Sequence, residues 1–201
     1  FRWLVIITRP NISKFIALVV GLVCIYFAYD YNQKNNYIYQ GEIYGTYWKI
    51  YSKEFINQQY IDEIEDILND IDLIASNYKQ DSEVNKLNFY DIDKEFFLSG
   101  ELYEIIKIAL DVSDKTNGVY DITVGSLVNN LGFGPNLFLD NKYVFESYSL
   151  KFSINDKNKS ISKYKDVVFD LSSVAKGYAV DAISDYLLAN NFNNYLIDIG
   201  G

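Results

Sequence analysis

The chain has 201 residues and a mass of 23.3 kDa, with 18 Lys and Arg against 27 Asp and Glu, 49% hydrophobic and 17% aromatic residues, and 11 Gly beside 2 Pro. That is enough for one ordinary domain or slightly more, and too apolar for a disordered, collagenous or low-complexity chain. These residues include no His and a single Cys, which excludes a Cys/His zinc site, an intramolecular disulfide, a His-based triad and an imidazole general base. A metal here must be a hard cation on oxygen ligands, and catalysis must run on carboxylates, hydroxyls, lysines and backbone groups. The net charge of −9 argues against nucleic acid as a partner.

With Phe1 first, no Met, and Asp198-Ile199-Gly200-Gly201 last, straight after a strand-like run, the sequence reads as a fragment open at both ends. From Phe15 to Tyr29 no residue is charged, and extending back to Ile12 gives about 18 residues, close to the ~20 that cross a bilayer as a helix. Arg2, Arg9 and Lys14 flank this run on one side and Asp30 follows on the other. The positive-inside rule therefore places the N-terminus in the cytoplasm and the acidic body outside, with Tyr26, Phe27, Tyr29 and Tyr31 suited to the outer interface. A cleaved signal peptide would need a small-residue site after the apolar run, and Tyr29-Asp30-Tyr31-Asn32 is not one. A lipoprotein would use Cys24, but Val23 precedes it and the apolar stretch continues past it. The expected division is an anchor over residues 1–31, a linker over 32–40 and a domain over 41–201.

Within that domain, Gly41 to Tyr51 is aromatic-rich and predicts a strand pair turning at Gly45. Ile56, Tyr60, Ile64, Ile67, Leu68, Ile71 and Ile74 recur at three- and four-residue intervals, predicting an amphipathic helix. A second helix is capped by Ser99, carries the stripe Leu102, Ile105, Ile106, Ala109 and Leu110, and ends at Gly118. Tyr148, Leu150, Phe152 and Ile154 alternate as a strand, a turn over Asn155 to Asn158 leads into a partner near Ser160 to Tyr164, and Val167-Val168-Phe169 reads as a buried strand. A third helix from about Ser173 to Asn190 and a strand from Tyr195 to Ile199 close the segment. The fold class is α+β, one mixed domain behind one transmembrane helix.

Chemistry concentrates in three connections. In VVFDLSSVAKGYAVD a strand ends at Asp170 and a helix starts at once, so free backbone N–H groups and a positive dipole suit an anion there. Lys176 adds a mobile positive charge, while Asp170, Ser172 and Ser173 add oxygens able to hold a cation or a hydroxyl; a simple helix cap explains Asp170 and Ser172 equally. In TNGVYDITVGSLVNNLGFG, four glycines are interleaved with Tyr120, Asp121 and Thr123, a composition that admits a ligand close to backbone, or merely turns a loop. It is neither a Rossmann fingerprint nor a P-loop. The third, NYKQDSEVNKLN, offers Tyr78, Ser82 and Asn88 after the first helix.

Taken in order, GEIYGTYW, SNYKQDSEVNKLN, TNGVYDITVGSLVNNLGFGP, DLSSVAKGYAVD and YLIDIGG make the chain resemble the FAD:protein FMN transferase family, also called the ApbE family, over residues 41 to 201. The resemblance implies the flavin-transferase fold, incomplete at its C-terminus, in a periplasmic or extracytoplasmic enzyme on the cell membrane. Such an enzyme binds FAD with Mg²⁺ and transfers FMN to a Thr or Ser hydroxyl of a partner flavoprotein, releasing AMP. Carried over by motif, Tyr44, Tyr78, Val119, Tyr120, Asp121, Asp170 and Lys176 would line the FAD site, Asp170 and Lys176 would serve catalysis, and Ser173 would be on the metal. The family usually has Met where Tyr44 stands, and its remaining metal ligands belong to a C-terminal part beyond these residues. Two other classes share these features: a membrane-tethered FAD carrier without transferase activity, and a structural anchor domain whose glycine loops only turn corners.

Overall fold

The computed structural model describes residues 9–34, 36–135 and 146–200, so Arg2 and Gly201 lie outside the described residues. Helix α1 (Arg9–Lys34) contains a stretch, Ser13–Tyr31, that is long and apolar enough to cross a membrane, with none of it buried against the rest of the protein. Strand β1 (Tyr37–Ile43) follows, so residues 32–34 of the expected linker belong to α1 and residues 37–40 to β1.

Strand β1 pairs antiparallel with β2 (Thr46–Ser52) through a two-residue turn, Tyr44-Gly45, with φ of 55° and 69°. Both values lie in the left-handed region that a type I′ hairpin requires. Gly45 adopts it freely; Tyr44 is held there by burial and by its hydroxyl, which donates to the Leu68 carbonyl at 3.0 Å. On the other edge of β2 lies β6 (Tyr195–Ile199), giving the order β1-β2-β6. The inner face of this sheet presents Trp48 and Ile50 to α2 (Gln58–Ala75) and α6 (Ser172–Ala189), where Ile64, Leu68, Ala179 and Ile183 complete one core. A second core, built on Leu102, Ile105, Ile106, Phe152 and Phe169, lies under α4 (Gly100–Lys115). It is covered by the small sheet β3-β5-β4, in which β3 is Glu95–Phe97, β4 Phe152–Asn155 and β5 Ser160–Lys163.

The long amphipathic helices form where their stripes predict, but several local expectations are corrected. Ile56 is buried ahead of α2 rather than in it, its N–H donating to the Tyr39 hydroxyl at 2.8 Å. Ser99 caps α4 by accepting from the Leu102 N–H at 3.1 Å, yet the helix stops at Lys115, and Asn117 and Gly118, both at positive φ, reverse the chain after it. Tyr148–Leu150 is a 3-10 turn rather than strand, and β4 starts only at Phe152. The expected strand Val167 to Phe169 is not a strand: Val168 makes a single parallel bridge to Val124. Two of the three connections also contain short helices, α3 (Glu83–Asn88) and α5 (Gly125–Asn130). Six residues are fewer than two turns, too few for a hydrophobic period to show.

Candidate functional site

The three connections meet. Val124 and Val168 bridge, the Gly125 N–H donates to the Val168 carbonyl at 3.0 Å, and the Asp170 N–H donates to the Ile122 carbonyl at 2.7 Å. A Cβ on Gly125 would lie 2.5 Å from Val168 Cγ1, so glycine is what lets these two backbones touch. The stretch after α2 joins them through Asn77, which donates to the Phe169 carbonyl at 2.6 Å, and Tyr78, whose hydroxyl donates to the Phe133 carbonyl at 2.6 Å. Between them opens a cleft of about 1170 Å³, whose walls include the residues carried over by motif, Tyr44, Tyr78, Val119, Tyr120, Asp121, Asp170, Ser173 and Lys176, but not Ser82, Asn88 or Thr123. This volume lies just above the usual range of about 300–1,000 Å³ for ligand sites.

At the mouth, Val119 is 80% exposed, an apolar side chain offered to solvent beside the more enclosed Tyr120. The Tyr120 hydroxyl and Ser173 Oγ share a hydrogen bond of 2.8 Å, tying the glycine-rich loop to the first turn of α6. Burial, together with the Asp170 charge, raises the Tyr120 phenol above its usual value, although the Ser173 bond works the other way. Tyr44 is likewise raised, by burial first and by Asp72 second, so both phenols stay protonated. Asp72 itself pairs with Lys79 at 2.7 Å on the same wall.

Asp170 sits just before α6. One of its oxygens accepts the Ser172 N–H at 2.9 Å, while the residue at the cap position, Leu171, offers no side-chain cap. The carboxylate therefore does part of the capping work and still lines the cleft, so the two readings of this residue coexist. Gly200 follows β6 at φ +78°; a Cβ there would lie 2.9 Å from Lys176 Nζ and 3.1 Å from Thr46 Cγ2. Lys176 is thus held between α6 and the hairpin, its ammonium beside backbone that only glycine supplies.

Asp121 is more committed than its motif suggests. Its carboxylate accepts from the Thr123 N–H at 2.8 Å, the Thr123 hydroxyl at 2.7 Å and Lys151 Nζ at 2.7 Å. The two side chains of the ion pair are 7% and 3% exposed. Burial alone would push the Asp121 carboxyl up, but Lys151 and the two Thr123 bonds outweigh it and hold it below the ordinary range. Lys151 was not visible as a site residue in the sequence, because a lone lysine between strand-like residues reads as a surface position. The wall residue Asn77 was also missed as such; it lies in the quoted motif, and its Oδ1 is buried without a hydrogen-bond partner.

For a hard cation the donor chemistry fits in part. Asp170, Ser172 and Ser173 supply a carboxylate and two hydroxyls on adjacent turns, all oxygen. No cluster of three or more Asp, Glu, Cys or His side chains able to hold a metal occurs among the described residues, so these residues can contribute part of a coordination shell and not all of it.

The cleft thus joins, in one mixed α/β domain, tyrosine walls, a lysine and an acid at a helix start, and backbone packed together through glycines. Residues 44–201 match the ApbE family, and the chain belongs to that family. A curated relative from Vibrio cholerae, named FAD:protein FMN transferase, is 32% identical over 146 residues, covering 69% of this chain and 44% of its own length. Another of the same name, from Buchnera aphidicola subsp. Schizaphis graminum, is 31% identical over 204 residues, covering 94% of this chain and 60% of its own length. Among solved structures, a point mutant of the flavin transferase ApbE from Vibrio cholerae superposes with a TM-score of 0.73 at 28% identity, over 83% of this chain and 61% of that one. The chain spans about half the length of the curated relatives it matches.

Proposed function

We propose that this chain is the FAD-binding portion of a membrane-anchored FAD:protein FMN transferase. The carrying observation is the convergence of its three motif-bearing connections on one cleft. In this reading FAD is the substrate: the hydroxyl oxygen of a Thr or Ser on a partner flavoprotein attacks the FMN phosphorus, the pyrophosphate P–O bond breaks, AMP departs, and the hydroxyl proton leaves to a carboxylate or solvent. Such a transfer needs positioning and charge neutralisation more than an enzyme nucleophile, which suits a stretch without His.

Tyr44, Tyr78 and Tyr120 supply faces for flat rings, Val119 and Asp121 the loop edge, and Lys176 with the start of α6 the positive field for the diphosphate. Asp170 and Ser173 would hold Mg²⁺, which when bound supplies charge neutralisation on the pyrophosphate oxygens. Asp170 and Lys176 thereby stabilise charge that develops during transfer. Residues 1–31 act as the anchor and 41–201 as the domain, with the domain on the periplasmic side of the inner membrane, as the basic flank of α1 and the acidic body suggest.

The test is to incubate the full-length protein with FAD, Mg²⁺ and a partner domain bearing the acceptor hydroxyl. Covalent flavin on the partner with stoichiometric AMP supports the proposal. Reversible yellow colour alone would leave only a tethered FAD carrier, and no flavin binding would leave a structural domain.

A further inference from the structure

We propose that the end of the three-stranded sheet remote from the cleft rests on the bilayer surface, its outward row Ile38–Tyr51–Leu196 seated in the interface. The inference rests on reading α1 as a membrane span. Along the outward face of the sheet, cross-strand partners form successive rows. Nearest the start of β1 come Ile38, Tyr51 and Leu196, and the next row is Gln40, Lys49 and Asp198. After it follow Glu42 and Tyr47. The first row is apolar and open to solvent, with Ile38 58% and Leu196 63% exposed. Beside it, at the same end, the exposed rings of Tyr37 and Phe55 pack edge to face with centroids 5.6 Å apart. An open face that changes from apolar to polar along one direction asks for an occupant on one side only.

Chain connectivity names that occupant. Lys34 ends α1 and Tyr37 starts β1, so the apolar row begins within a few residues of the stretch Ser13–Tyr31. Tyr and Phe rings with a lysine one row further out are the side chains that settle at headgroup level, where apolar bodies enter the acyl boundary and polar tips stay wet. A docked protein or a second copy would fit an apolar patch equally, but neither accounts for its position at the membrane-proximal end. The opposite end of the same hairpin, Tyr44 and Gly45, lines the cleft. A strand of 7 residues at about 3.3 Å per residue then sets the cleft on the order of 20 Å above the interface. The hairpin acts as a spacer as well as a wall.

The experiment uses the full chain in phosphatidylethanolamine/phosphatidylglycerol vesicles, with a thiol-reactive bimane read against lipids carrying quenchers at headgroup depth or acyl depth. The native Cys24 reports insertion of α1. In a Cys24→Ser background, Leu196→Cys and Ile38→Cys report the sheet row, and Leu131→Cys, equally exposed but beside α5, is the matched control. Expected are strong acyl-depth quenching at Cys24, strong headgroup-depth quenching at 196 and 38 with a blue-shifted emission, and none at 131. If Cys24 is quenched while 196 and 38 behave like 131, the resting face is refuted and the anchor stands. If Cys24 is unquenched, both fall. Cross-links between 196 of two copies, without lipid quenching, assign the row to a dimer and overturn the proposal.

Discussion

Asn88 holds both backbone groups of Phe169. Its Oδ1 accepts the Phe169 N–H at 2.7 Å and its Nδ2 donates to the Phe169 carbonyl at 3.1 Å, while Asn77 donates to the same carbonyl. Lys163 Nζ in turn donates to the Asn88 carbonyl at 2.7 Å, and burial holds that ammonium below its usual value. Two asparagines from the connection after α2 thus fix the residue immediately before Asp170, and the position of Asp170 at the cleft is a consequence of that clamp.

Replacing Asn88 with Ala leaves the buried Phe169 N–H without its acceptor, at a cost of about 1–3 kcal/mol, while the Phe169 carbonyl keeps its bond from Asn77. Urea unfolding of Asn88→Ala should show this loss. Flavin transfer measured well below the unfolding midpoint should also fall, because Asp170 loses its support; unchanged transfer in a destabilised protein would mean that the clamp serves stability alone.

Asp170→Asn keeps the shape and the cap contact to Ser172 while removing the charge. On the order of 10²-fold or more of Mg²⁺-dependent transfer should be lost through lost electrostatic preorganisation, with the far-ultraviolet spectrum unchanged. Steady-state turnover at saturating FAD is the measurement, and wild-type turnover would remove Asp170 from the proposed site.

The Lys151–Asp121 pair gives a stability prediction with a sign. Asp121 is held below its ordinary value of 3.8 in the folded chain, so its contribution is fully present above that value and disappears as pH falls through the lower folded value. Lys151→Met removes the cation from a buried carboxylate that keeps its two Thr123 bonds, at a cost of up to roughly 3–5 kcal/mol, and weakens the trend: the variant should lose less stability on acidification. Chemical denaturation between neutral and acidic pH checks both, and parallel curves for the two proteins would rule out the pair as the cause.

Gly125→Ala tests whether the motif loops must touch. The new Cβ would meet Val168 Cγ1 at 2.5 Å and the Val168 carbonyl oxygen at 2.7 Å. Overpacking of this kind costs about 1–3 kcal/mol, and it would push the glycine-rich loop away from Asp170. FAD titration by fluorescence should show weakened binding even in conditions where thermal melting shows the protein folded.

The helices α2 and α4 were legible in the sequence because each buries one long apolar stripe, and the hairpin because Gly45 marks its turn. The motifs carrying Tyr78, Tyr120, Asp121, Asp170 and Lys176 were legible as unusual concentrations of glycine, aromatic and acid in connections. What the residues did not disclose follows from range. The helices α3 and α5 are shorter than a readable period, Tyr148–Leu150 alternates like a strand yet coils, and Lys151 looks like a surface lysine until Asp121, thirty residues earlier in the chain, comes to meet it in the interior.

Local composition determined the long helices α2 and α4, the hairpin and the apolar N-terminal run, since those depend on near neighbours along the chain. Tertiary structure decided that Val124 lies on Val168, that Asn77 and Asn88 grip Phe169, and that one end of the sheet faces the cleft while the other is apolar. Those are contacts between residues tens of positions apart, made only when burial of the two cores fixes the backbone, and no local pattern encodes them.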